Sequence, residues 1–284
     1  MENIKAIFDN TGTPILMVVF AILFIVEGSK QLRKRVQLRW HRIFINFIVS
    51  LPAFTLLRLL LIPAMVWLAA QNEGWRFGLN YLYNLPAWLE ATIAFILLDY
   101  TNYLWHILNH KVPLLWRFHL VHHTDADLDV TTAIRFHFGE IVGSVFFRGA
   151  AVVLVGASPV LVLIYEIVFE ACTQFHHSNT KLPLKVERVL NRLMVTPRMH
   201  GIHHSVVRSE TDSNYSVIFS WWDRMHRTIN LHIPQQQVVV GVPMYSNHQE
   251  LTVGFLLKLP FTKIREWKKM DVTEKTTDKE EIQY

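Results

Sequence analysis

WHILNHKVPLLWRFHLVHH, residues 105–123, decides how this chain is read. Its front half continues an apolar stretch and carries His106 and His110 four residues apart, so on a helix both rings share one face. Its back half holds His119, His122 and His123, spaced i, i+3, i+4, and HGIHH repeats that spacing at His200, His203 and His204. Histidine is a poor core residue, because a buried ring nitrogen without a partner costs free energy. Eleven of the fifteen histidines fall between 106 and 204. A lone histidine such as His41, His232 or His248 is a surface or hydrogen-bonded residue, but these boxes offer eight imidazoles in patterns that point to metal.

Working outward, the chain has 284 residues, 51% of them hydrophobic, and a mean hydropathy of +0.22, which indicates a membrane protein. One cysteine, Cys172, excludes an internal disulfide and a thiolate-held iron–sulfur cluster. The net charge of +5 gathers at 30–42 and 257–269, beside apolar segments, where membrane topology explains it better than nucleic acid does.

Four apolar stretches organise the sequence: Pro14–Gly28, about Ile43–Ala70, Leu85 to about Leu104, and 141–175. The first has no basic leader or cleavage site and is expected to be an uncleaved membrane helix. The basic run at 30–42 places the first connection in the cytoplasm, and residues 71–84, with Trp75, Tyr81 and Tyr83 for an interfacial belt, outside. The third stretch then returns the chain to the cytoplasmic face at Trp105. The fourth begins after His137 and ends before His177. If both reach one site it must be a hairpin turned at GASP, 156–159, with arms marginal for a full crossing. The expected fold is all-α: a multi-pass helical membrane bundle with a cytoplasmic-face, histidine-rich metal site. The expected divisions are 1–93, transmembrane helices; 94–230, the metal domain with the hairpin; and 231–284, a cytoplasmic tail.

Eight box histidines are twice what one structural zinc needs, so two metals are expected, although imidazole suits zinc, iron, copper and nickel alike. A site where membrane helices emerge can receive an apolar substrate from the bilayer, which favours iron–oxygen chemistry on a lipid. Two other classes compete. A bis-histidine haem carrier needs facing histidines with room for a porphyrin, which the adjacent His122 and His123 crowd. A metal transporter needs ionisable groups in mid-membrane.

The stretch from Trp105 through RFHFGEI, with FHHSN, VTPRMHGIHHS and ETDSNYSVIFSWWDR, closely resembles the fatty acid hydroxylase/sterol desaturase superfamily over about residues 94–230. The resemblance implies a membrane non-haem di-iron oxygenase that hydroxylates or desaturates a sterol, fatty acyl chain or related lipid. It implies two irons on His106, His110, His119, His122, His123, His200, His203 and His204, joined by His137 and His177. His176, Asp223 and Asn214 are expected as further ligands or as supports to them. Phe138, Ser216 and Arg227 depart from the family's usual proline and glycines. Asp99, Asp125, Asp127, Asp129, Glu140, Asp212 and Asp223 are candidates to accept the second ring N–H of a ligand.

No dinucleotide fingerprint or cysteine cluster is present, so the two electrons that oxygen activation consumes are expected from an external ferredoxin or cytochrome b5-like donor. Such a donor would meet the basic residues at 30–42 with Lys181, Lys185, Arg188, Arg192 and Arg198. The final EEIQY carries no retrieval signal, which favours a bacterial inner membrane over the endoplasmic reticulum.

Overall fold

The computed structural model describes residues 8–267; the ends of the expected first and last divisions, 1–7 and 268–284, lie outside it. A π turn leads into α1 (Thr13–Ser29), whose Met17, Ile22 and Ile25 point outward, as lipid-facing residues would. α2 (Arg39–Leu56) runs through a π-helical turn, Leu57–Leu61, into α3 (Ile62–Trp75). Pro52 and Pro63 flank that turn. A proline has no N–H to give the preceding carbonyl, and here the chain widens, with Ile62 N–H reaching back five residues to Leu57 O.

α4 (Ala87–Lys111) meets α5 (Pro113–His123) at a corner that Pro113 enforces by holding Val112 extended, at φ −90° and ψ 115°. The corner folds the first two histidine boxes onto each other. α6 (Phe138–Val155) and α7 (Pro159–His177) form the hairpin, with Gly156 left-handed in the turn and Ser158 capping α7. Short helices follow: α8 (Leu184–Leu190), α9 (Pro197–His203), α10 (Arg208–Thr211), α11 (Trp221–His226) and α12 (Val253–Lys258). No β-strand occurs among the described residues, which carry only three isolated bridges.

Among the described residues, four helices are long and apolar enough to cross a membrane: 9–29, 39–81, 138–155 and 159–177. The chain is thus an all-α membrane protein. The third apolar stretch becomes α4, a 25-residue helix that runs from the level of the hairpin tip to the histidine end, with Glu90, Asp99, Asn102 and the histidines diluting its apolar run. The hairpin arms each pack against α3 and α4 rather than along each other, and their apolar residues join Leu61, Met65 and Ala69 in one core. Within that core Arg148 of α6 pairs with Glu166 of α7.

The hairpin tip lies level with the turn after α3. Asn72 Nδ2 donates to Val153 O at 3.1 Å, and a Cβ at Gly78 would stand 2.5 Å from that same carbonyl, so only glycine fits there. Arms of 18 and 19 residues are about 27 Å long, close to a hydrocarbon thickness. At the opposite end, residues 231–267 do not trail away as a tail. Val242, Tyr245, Leu251, Leu256 and Leu259 are buried against α2 and α5.

Candidate metal centre

Nine histidines converge where α4, α5, α7 and α9 end together. They form two groups: His106, His110, His119, His123 and His203; and His122, His177, His200 and His204. In each group one nitrogen per ring lies within 4.8 Å of all the others. The i, i+3, i+4 spacing does the sorting, since His119 and His123 of α5 face one group while His122 turns to the other. The two groups touch through the stacked rings of His123 and His204, 4.4 Å apart.

Several rings are aimed by acceptors behind them. His106 Nδ1–H donates to Tyr215 O, His177 Nδ1–H to Thr173 O and His203 Nδ1–H to Ser213 O, each at 2.7 Å. His119 Nδ1–H donates to the Glu140 carboxylate at 3.1 Å. With the proton on Nδ1, each Nε2 presents a bare lone pair to the cluster. Burial, followed by the neighbouring imidazoles, pushes the pKa of His123, His200 and His204 well below the ordinary value; His122 and His203 are lowered too, with burial again first. The rings are therefore neutral, the form that ligates.

The nitrogens fit a metal on two counts. Nε2 atoms of His122, His177, His200 and His204 follow one another at 3.0, 3.0 and 3.1 Å. At a metal–nitrogen bond of about 2.1 Å, ligands at right angles stand about 3.0 Å apart and tetrahedral ones about 3.4 Å. In addition, His203 Nε2 and both nitrogens of His110 are buried without a hydrogen-bond partner, an expense that a metal bond would remove.

His137 is not brought to either group. Its Nδ1 accepts the Gly139 N–H as the cap of α6, its Nε2–H donates to Leu257 O, and its ring packs on Phe118 and Phe261. His176 is also outside both, its ring 4.2 Å from that of His200. Asn214 makes its side-chain hydrogen bonds to backbone rather than to a histidine. It sits left-handed at φ 54° and ties Met199 O to Asn230. Asp223 works at one remove, accepting the Tyr215 and Ser216 amides at 2.9 Å each and the Thr228 hydroxyl, which fixes the carbonyl that receives His106.

Of the seven candidate carboxylates, only Glu140 bonds a ring; Asp212 stands 3.9 Å from His110 Nδ1 and is held by Lys111 and Arg208. Asp99 accepts from the Ile218 and Phe219 amides and Trp222 Nε1. Asp125 and Asp129 hold Arg42, and Asp127 takes the Val36 and Gln37 amides. Glu27, which the sequence reading did not single out, is fully buried and accepts the Val130 and Asn179 amides. Of the departures from the family pattern, Arg227 adopts the left-handed conformation, φ 59°, for which glycine is usual.

A helical membrane bundle closed at one end by a polyhistidine metal site is the class of protein these observations define. Residues 91–228 match the fatty acid hydroxylase family. These residues belong to the fatty acid hydroxylase/sterol desaturase superfamily. It is 25% identical to mouse cholesterol 25-hydroxylase over 60% of this chain and 56% of that one. It is 26% identical to ornithine lipid hydroxylase OlsE of Rhizobium tropici, over 63% and 52%. With human alkylglycerol monooxygenase the identity is 29%, over 57% and 36%. The chain thus spans about half the length, or less, of these relatives. No solved structure matches it significantly.

Proposed function

We propose that this protein is a membrane-bound, non-haem di-iron monooxygenase that hydroxylates, or desaturates, a C–H bond of a lipid. The observation that carries the reading is the convergence of nine histidines, eight of them buried, into two groups at the end of apolar helices. One iron would be held by His106, His110, His119, His123 and His203, the other by His122, His177, His200 and His204. Right-angle nitrogen spacing favours a metal with open positions over closed tetrahedral zinc. The chemistry such a pair supplies is dioxygen activation at the expense of two external electrons.

The chain's own part is positional. Glu140 and the carbonyls of Thr173, Ser213 and Tyr215 keep the protons on Nδ1 and the rings aimed, and Asp223 braces the Tyr215 carbonyl. Burial of every ring but the partly covered His106 keeps bulk water from the reacting atoms. The relatives' names support the substrate class: a sterol, an ornithine lipid and an alkylglycerol. Rings packed this closely leave no slot for a porphyrin, which disfavours a haem carrier.

The histidine end faces the cytoplasm in this reading, in a bacterial inner membrane, and the electron donor is an acidic ferredoxin or cytochrome b5-like carrier. Lys181, Lys185 and Arg192 are the docking charges we would assign; Arg198 is bound to Glu187, and Arg33, Arg35, Arg39 and Arg42 are drawn into the fold. Metal analysis after anaerobic purification is expected to find about two irons per chain. Lipid mass spectrometry of cells with and without the gene is expected to find a product heavier by one oxygen, or lighter by two hydrogens. A His203→Ala variant that retained full iron and full product would sink the assignment.

A further inference from the structure

Tyr215 lies against three of the five rings in one histidine group, its centroid 5.7, 5.2 and 5.7 Å from those of His106, His110 and His203. From it a line of rings leads outward. Tyr103 of α4 stands 6.5 Å from Tyr215, Tyr100 stands 6.2 Å from Tyr103, and Trp222 of α11 stands 4.8 Å from Tyr100. The exposed His226 imidazole stacks on Tyr100 and Tyr103, at 5.7 and 5.2 Å. Tyr215 and Tyr103 are buried, so the line joins the histidine centre to the surface through the interior.

Packing alone would be served by phenylalanine; what these rings share is a proton acceptor on each. The Tyr215 hydroxyl donates to Asp212 Oδ1 at 3.3 Å. Tyr103 donates to Thr228 Oγ1 at 2.9 Å, because the Thr228 hydrogen is already given to Asp223 at 2.6 Å. The Tyr100 hydroxyl is 3.1 Å from His226 Nε2, and Trp222 Nε1–H donates to Asp99 at 2.7 Å. A phenol gives up an electron more readily when a positioned base takes its proton at the same time. Other rings at the centre lack this provision. Phe136, stacked on His122, has no such hydrogen. Trp116 and Trp267 both lie under the Arg208 guanidinium, at 5.2 and 4.9 Å, and a cation there opposes the positive charge an oxidised indole would bear.

We propose that Tyr215, Tyr103 and Tyr100 form a relay that drains oxidising equivalents from the histidine centre to the surface at Trp222 and His226 when no lipid C–H is in place. The inference rests on the oxygenase reading above. Tyr215 gives an electron inward and its proton to Asp212. It is refilled from Tyr103, whose proton passes to Thr228 as that of Thr228 passes to Asp223. Tyr103 is refilled in turn from Tyr100, whose proton goes to His226. Each refilled phenol takes its proton back, and a thiol in solution restores Tyr100. In net terms dioxygen becomes two waters: two electrons come from the donor, two electrons and two protons from a pair of thiols that end as a disulfide, and two protons from solvent.

The test begins with the metal-free full chain in detergent. A ruthenium polypyridyl photo-oxidant is attached through Met225→Cys, at a position 59% exposed, in a Cys172→Ser background, and is flashed with persulfate as the terminal electron acceptor. The oxidised dye is expected to draw electrons along the line and leave phenoxyl radicals on Tyr103 and Tyr215, read by electron paramagnetic resonance. Tyr103→Phe keeps the ring, removes the hydroxyl and is expected to lose the radical at both positions; Trp116→Phe is expected to keep it. An undiminished radical in Tyr103→Phe, or its loss in Trp116→Phe, overturns the relay. The iron-loaded chain is then reduced and given dioxygen without lipid. The same radical is expected, and repeated exposure is expected to oxidise His106, His110 and His203 more in Tyr103→Phe than in wild type at equal iron content, as read by peptide mass spectrometry. Dioxygen uptake with no phenoxyl overturns the draining role. Iron that takes up no dioxygen counts against the oxygenase reading instead, and the photo-oxidation then decides the relay by itself.

Discussion

Asp223→Ala is expected to weaken metal binding without touching a ligand. The carboxylate is fully buried and accepts the Tyr215 amide, the Ser216 amide and the Thr228 hydroxyl. Each buried donor left without its acceptor costs about 1–3 kcal/mol, so removing this one side chain costs about 3–5 kcal/mol after partial relaxation. That is a large part of an ordinary domain's stability. The loop it releases carries the carbonyl that receives His106 Nδ1–H, and losing such an outer partner lowers metal affinity about 10–100-fold. Thermal unfolding and chelator competition on the same preparations read the two effects separately. Asp223→Asn keeps one accepting oxygen and should fall between wild type and alanine in both. Wild-type metal affinity in Asp223→Ala, beside a clear loss of thermal stability, would refute the chain from Asp223 through Tyr215 to His106.

Three further outcomes are expected. His137→Asn keeps a capping acceptor for α6 and should retain the wild-type metal content, whereas metal loss would restore His137 as a ligand; atomic absorption decides. Acid should release the metal and destabilise the fold: His122, His123, His200, His203 and His204 have folded pKa values below the ordinary 6.5, so below that pH the unfolded chain takes up protons that the folded one refuses. The contribution is complete above 6.5 and declines as pH falls, and a melting temperature that stays flat from neutral to pH 5 would contradict it. A cysteine replacing the exposed Lys181, beside Lys30 at the histidine end, should react with an impermeant reagent from the cytoplasm; labelling only from the other side would invert the proposed orientation.

The helical boxes were legible in sequence because an i, i+3, i+4 pattern can only place its rings on one helical face, and Pro113 advertises the corner between the first two. Acceptors were largely illegible. Three of the four that hold rings are backbone carbonyls, of Thr173, Ser213 and Tyr215, and every residue has one. His137 misled because a histidine beside a helix start can serve its own backbone as readily as a metal. Residues 231–267 looked like a tail because their apolar residues, Val242 to Leu259, follow no sustained helical period, and α12 is only six residues long.

The arms of the hairpin are consecutive in sequence, yet α3 and α4 stand between them. Synthesis proceeds from the N-terminus, so α3 and α4 are made first and α6 and α7 must settle astride them. Until they do, Arg148 and Glu166 each meet hydrocarbon alone, at about 2.5–3.5 kcal/mol apiece for charges at mid-helix, and their meeting closes the clasp. The same closure carries His177 to His122 and His200. A copy whose hairpin had gone astray would keep eight of the nine histidines and lack the ring that joins two others in its group. Under the proposed function, metal content would therefore report whether the hairpin has closed.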